Sequence, residues 1–215
     1  MMKLRSVTLW GLAAAAATAV LAAVLYNRLP EAIPIHWGIN GEADGFMDKP
    51  FGPFLFPVMI AALALLGTAL PALAPRGFEL EGFARAFDMI VLASIGFLAF
   101  IALVICAEAL GFAVSTRHLL GAAVGVLLIA IGNVMGKTRR NFFVGFRTPW
   151  TLASDEVWSR THRFGGRLFV LCGLVFCAAA ALGADLLIPT VAMLTAALAI
   201  IVYSYVIYRR LGPEA

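Results

Sequence analysis

Six apolar runs punctuate the chain: Ser6–Tyr26, Phe54–Ala74, Met89–Ala107, Leu119–Gly136, Leu168–Ala184 and Leu186–Tyr208. Each has about the ~20 residues that a helix needs to cross the hydrocarbon core of a bilayer. In lipid, such a run satisfies its backbone only as a helix or within a closed barrel. Barrel strands alternate apolar and polar positions over ~10 residues, and these runs do not alternate. The pattern therefore predicts an all-α fold, a polytopic membrane bundle with six transmembrane helices. Lys3 and Arg5 precede the first run, but it exceeds the ~7–15-residue apolar core of a signal peptide. It reads as a retained helix. The fourth run spaces Gly121, Gly125, Gly132 and Gly136 as small-x-x-x-small pairs, which let two helices approach closely.

The polar positions carry the second signal. With the N-terminus inside, thirteen of the 16 Lys and Arg residues fall on the inner side. Only Arg28, Lys49 and Arg117 fall outside. The positive-inside rule then places both termini in the cytoplasm. The runs divide into two halves, 1–110 with an outer loop at 27–53 and 111–215 with an inner loop at 137–167. Composition agrees: 62% of the 215 residues are hydrophobic, 13% are charged and the mean hydropathy is +0.96. A soluble domain is ~25% charged, so an ordinary soluble enzyme and a disordered chain are both excluded. The net charge of +4 is then a topology signal and not a footprint for direct nucleic-acid binding. Cys106, Cys172 and Cys177 lie in apolar runs and read as small buried hydrophobes.

Two connections are too long to be plain linkers between packed helices, where ~2–8 residues are usual. The outer one contains Ile33-Pro34-Ile35-His36-Trp37, extended because residues before proline avoid the α region. Asn40-Gly41 and Asp44-Gly45 are tight-turn dipeptides, so a small hairpin-like cap is expected, with Trp37 and Phe46 on the membrane surface. His36, Trp37, Asn40, Gly41, Asp44 and Gly45 are its candidate binding residues. His36 with Glu31, Glu42 or Asp44 matches no zinc spacing, and a hydrogen-bonded histidine without metal is the expected state. The inner loop places Pro149 at a first helical position after Thr148, and Ser154-Asp155-Glu156 offers a second helix start. Arg160 and Arg163 suit a last turn and Gly165 a stop, which predicts a short interfacial helix with Val157, Thr161 and Phe164 facing the membrane. Gly145, Arg147, Thr148, Pro149, Trp150, Glu156, Trp158, Arg160, His162 and Arg163 are candidate residues for docking lipid head groups or a cytosolic partner.

The stretch Asn141–Phe169, with Gly145-Phe146-Arg147-Thr148-Pro149-Trp150-Thr151-Leu152, Val157-Trp158 and Thr161-His162-Arg163, closely resembles the SdpI-type immunity protein family of bacterial membrane proteins. The outer loop, with Leu29-Pro30, Ile33-Pro34, His36-Trp37, Gly41 and Asp44-Gly45, looks like the uncharacterised N-terminal domain that accompanies this family. The resemblance implies a six-helix protein of the bacterial cytoplasmic membrane. It also implies an immunity function against a peptide toxin outside, and a signalling function that holds a DNA-binding repressor at the inner face.

The residues themselves offer no catalytic constellation. No His-x-x-x-His or Glu-x-x-His pair is present, and His118 and His162 stand apart. A non-enzymatic protein without cofactor is expected. Asp88, Glu108 and Asp185 fall at run ends rather than near the midplane, where a transporter's ionisable group usually sits. The alternative reading is a small transporter or lipid-handling protein. It rests on the arrangement of two three-helix halves that start on opposite sides of the membrane, as in an inverted repeat.

Overall fold

A computed structural model of the chain describes residues 6–38 and 42–211. Among them are six long apolar helices, each able by length and composition to cross a membrane. Helix α1 spans Ser6–Val24, α2 Leu55–Ala72 and α3 Ala84–Ala109. Helix α4 spans Thr116–Met135, and a one-turn α5 (Pro149–Ala153) precedes α6 (Asp155–Ala181) and α7 (Leu187–Leu211). Pro57 and Pro189 fall in the first turns of α2 and α7, and Pro71 in the last turn of α2, so no span is broken in its middle. Apolar residues such as Leu9, Val20, Val58, Leu65, Leu103, Val126, Leu174, Leu194 and Ile201 point away from the protein, as lipid-facing positions should.

Helices α1, α2 and α3 form one packed group. Its core holds Val7, Ala15, Ile60, Ala64, Phe87, Val91 and Ile95, and Val134 of α4 joins it. The hydroxyls of Thr8 and Thr68 bond to each other across α1 and α2, so neither polar group is stranded among apolar neighbours. In the other half, α4 and α6 form the most extensive helix pair of the bundle, and α7 packs along α6. The two run antiparallel: a Cβ added at Gly132 would lie 2.6 Å from the Gly166 carbonyl oxygen, and one at Gly125 2.7 Å from that of Gly173. Only glycines permit backbones to meet this closely, so the stripe read from α4 is an interface, with its partner stripe on α6.

Two segments depart from the sequence expectation. The short interfacial helix does not exist as a separate element. Residues 155–167 are the first turns of α6, which runs unbroken for 27 residues, roughly 40 Å at 1.5 Å per residue. Gly165 does not stop the helix. It is buried against the Phe146 ring, where a Cβ would come within 2.6 Å. Its lack of a side chain serves packing and not a left-handed cap.

The second departure concerns the loop after α1. It folds as the expected hairpin, β1 (Ala32–Trp37) antiparallel to β2 (Ala43–Asp48), so the bundle carries a two-stranded sheet beside its helices. Asp44-Gly45, however, lies within β2 opposite His36 and forms no turn. Beyond the strands, the Gly38 N–H bonds the Glu42 carbonyl at 2.9 Å. Two register irregularities around His36 absorb the mismatch between the strands. Asn40 and Gly41, expected in a turn, lie outside the described residues.

Candidate functional site

The antiparallel path gives the bundle two ends. One carries the β hairpin and the 110–115 and 182–186 connections, and the other carries the 73–83 and 136–154 connections.

At the hairpin end, Ile33 is the anchor. It is 1% exposed and packs with Leu25, Leu29, Phe56, Ile101 and Ile105. Burial of that side chain contributes ~1.5–3 kcal/mol toward seating the strand. The rest of the hairpin overhangs two clefts. One, of about 510 Å³, lies where the helix groups meet, between Trp37, Phe97, Arg117, Leu120, Phe176 and Leu186. The other, of about 670 Å³, has Arg28, Trp37, Phe46, Glu108 and Thr116 on its walls. Volumes of this size are typical of ligand sites, and both clefts mix an apolar floor with a few polar groups. His36 is exposed and pairs with Asp44, Nδ1 to Oδ1, at 2.5 Å. No group of three or more His, Cys, Asp or Glu residues suited to a metal occurs among the described residues. Trp37 is half-buried on the core and Phe46 is exposed, so Trp37 fixes the hairpin while Phe46 projects from it.

At the opposite end, the motif residues divide into an interior lock and an outer face. Thr148 caps α5: its side chain accepts from the Thr151 N–H, and the Thr151 side chain accepts from the Thr148 N–H in return. Pro149 occupies the first helical position, where its missing N–H costs nothing. Ser154 then caps α6 by accepting from the Val157 N–H. Both helix starts therefore stand where the sequence puts them. Trp150 donates its indole N–H to the Ser204 hydroxyl of α7 and meets the Tyr205 ring edge-on at 5.3 Å.

Trp158 and His162, expected on a docking surface, are instead 1% and 0% exposed. They point inward because α6 is continuous and its first turns pack under the 138–148 loop. The Trp158 indole N–H donates to the Thr138 carbonyl at 3.1 Å. His162 Nδ1–H donates to the Trp158 carbonyl at 2.8 Å, and Nε2 accepts the Phe146 N–H at 2.9 Å. Both ring nitrogens are thereby used, and the neutral Nδ1–H tautomer is the one that fits. Gly145 adopts φ +109°, and a Cβ there would sit 2.3 Å from His162 Nε2. Only glycine serves both demands.

Sequence reasoning missed Asn141, Thr138 and Thr151 in this lock. Asn141 is fully buried: its side-chain carbonyl accepts from the N–H groups of Phe143 and Val144, and its amide donates to the carbonyls of Arg139 and Val144. Asparagine's habit of bonding its own backbone two residues on was the available signal. Thr151 Oγ1 donates to the Phe146 carbonyl at 2.7 Å. These bonds give the 138–148 loop, which has no helix or strand of its own, partners for its backbone.

The outer face keeps Arg147, Glu156, Arg160 and Arg163 exposed. Arg147 donates to the Phe142 carbonyl, and Arg160 pairs with Glu156 one turn away at 2.5 Å. Arg140 joins the loop to the start of α6 through Asp155 at 2.9 Å. A polar cavity of about 610 Å³ opens beside them, lined by Glu79, Lys137, Thr138, Arg139, Asp155 and Ser159. The Gly77 N–H donates to Glu79 at 2.9 Å and holds its carboxyl below the usual carboxylate range.

Residues 137–208, which include this lock and its outer face, match the SdpI/YfhL protein family. Residues 13–61, which include the hairpin, match a domain of unknown function, DUF1648. The chain is also similar to a Bacillus subtilis (strain 168) protein named Immunity protein SdpI, with 32% identity over 152 residues, 71% of this chain and 70% of that one. No solved structure is significantly similar to the chain.

Proposed function

The chain belongs to the SdpI/YfhL protein family, and from that premise we propose that it is a multi-pass immunity protein of the bacterial cytoplasmic membrane that protects its cell from a membrane-active peptide. The carrying observation is the similarity to an immunity protein over 71% of the chain. The split of basic residues supports an orientation with the hairpin outside and the motif end in the cytosol.

In this reading the hairpin end meets the peptide. His36, Trp37, Asp44 and Gly45, with Asn40 and Gly41 of the connection between the strands, form the contact. The 510 Å³ cleft beneath receives an apolar segment. The motif end acts toward the cytosol. The lock of Gly145, Thr148, Pro149, Trp150, Trp158 and His162 positions the face made by Arg147, Glu156, Arg160 and Arg163, and that face docks a DNA-binding repressor. The two three-helix halves divide these tasks. No catalytic group enters the scheme.

Deleting the gene and challenging cells with a panel of membrane-active peptides tests it. Sensitivity to at least one peptide should rise, and the wild-type gene should restore protection. A variant with Trp37→Ala should not restore it. Unchanged sensitivity across the panel overturns the reading.

A further inference from the structure

A groove of about 500 Å³ runs along the contact of α4 with α6, near the end of the bundle away from the hairpin. Gly132, Gly136 and Gly166 line its floor, where the two helices meet closely. Asn133 and Lys137 stand one turn apart on the α4 wall. Arg163, Arg167 and Val170 stand at successive turns on the α6 wall. All three cations and Asn133 are exposed, and no carboxylate lines the groove. Three arginines at this end have acceptors: Arg140 has Asp155, Arg160 has Glu156 and Arg147 has the Phe142 carbonyl. Lys137, Arg163 and Arg167 have no acceptor among the described residues, as is also true of Arg76, Arg85, Arg139, Arg209 and Arg210, but only these three line one groove together.

The negative end of the α4 dipole accounts for a cation at Lys137, just past the helix. It does not account for Arg167. That residue follows Gly166, which packs on Gly132 a turn before α4 ends. In a bilayer crossed by α4 and α6, a cation one turn inside the end of α4 reaches the head-group level, where an anion stabilises it. A phosphate fits between the two walls, with apolar helix surface at Val170 continuing below it.

We propose that this groove is a binding site for an anionic phospholipid, its headgroup phosphate held by Lys137, Arg163 and Arg167 and its acyl chains lying along α4 and α6. Basic pockets between membrane helices suit such lipids.

Native mass spectrometry of the full chain in a neutral detergent tests the site, with phosphatidylglycerol and phosphatidylcholine of equal chain length as probes. The wild type should retain phosphatidylglycerol at least tenfold better. Arg163→Gln with Arg167→Gln should bring the two lipids to parity, and Lys137→Gln, on the opposite wall, should reduce the preference by itself. Equal retention of both lipids by the wild type overturns the proposal. So does an equal loss in Arg76→Gln with Arg209→Gln, which removes cations outside the groove and would indicate diffuse attraction. Displacement of the lipid by millimolar inorganic phosphate would assign the groove to a free anion instead. Arg163 stands at the border between this groove and the face proposed above for a protein partner, but lipid retention is read without immunity or recruitment, so the two readings can fail separately.

Discussion

The imidazole of His162 lies almost parallel to the indole of Trp158, with ring centroids 4.0 Å apart and planes at 15°. The two residues are one helical turn apart, and His162 Nδ1–H also bonds the Trp158 carbonyl. Stacking and hydrogen bonding thus tie both rings to the same turn of α6. From that turn each reaches up to the 138–148 loop, Trp158 to Thr138 and His162 to Phe146. The pair works as a rivet between helix and loop.

Breaking the rivet should cost stability. Trp158→Phe keeps most of the ring but strands the Thr138 carbonyl, a loss of ~1–3 kcal/mol for a buried polar group left unpaired. His162→Ala strands the Phe146 N–H and should cost at least as much. Arg160→Gln removes only an exposed pair with Glu156 and should stay within ~0.5 kcal/mol. Thermal unfolding in detergent measures all three. If Arg160→Gln also abolishes partner recruitment while unfolding normally, the outer face carries the docking role; recruitment at wild-type level rejects it.

Two glycines with positive φ separate backbone strain from contact. Gly145 (φ +109°) faces His162, whereas Gly111 (φ +83°) has nothing within 4 Å of a Cβ. Gly111→Ala should cost ~1 kcal/mol from conformation alone, and Gly145→Ala several times that because the imidazole must also move. Comparable melting temperatures for the two variants would refute the close fit at Gly145.

The α4–α6 contact makes a similar contrast. Gly132→Val forces a side chain against the Gly166 carbonyl and should sharply reduce the yield of folded protein. Gly96→Ala, at an open position within α3, should be neutral or stabilise by up to ~1 kcal/mol through helix propensity. Size-exclusion profiles after detergent extraction report both outcomes.

Topology is open to chemical labelling. A cysteine at Glu42, exposed at the hairpin end, should react with a membrane-impermeant maleimide in intact cells, and one at Arg147 only after lysis. The native cysteines should contribute little background, as Cys106 and Cys172 are buried and Cys177 is partly so. The reverse labelling pattern would invert the proposed orientation.

The chain by itself determined the class, the six crossings, the hairpin and both helix starts at the inner loop. These follow from local rules: run length against bilayer thickness, proline's fixed φ, and the Thr148 and Ser154 side chains capping the next turn. It also showed one half of the glycine interface, because small residues at i and i+4 share a face whatever the partner. Tertiary structure decided the rest. Gly165 has the composition of a helix stop, yet the Phe146 ring against it makes glycine a packing requirement within α6. Trp158, His162 and Arg163 read alike as motif residues, and only the continuity of α6 turned two of them inward and left the third outside. Asp44-Gly45 reads as a turn until Ile33, buried in the bundle, sets the register of β1 and draws both residues into β2. Each decision depends on a partner distant in the chain, whose position no local pattern encodes.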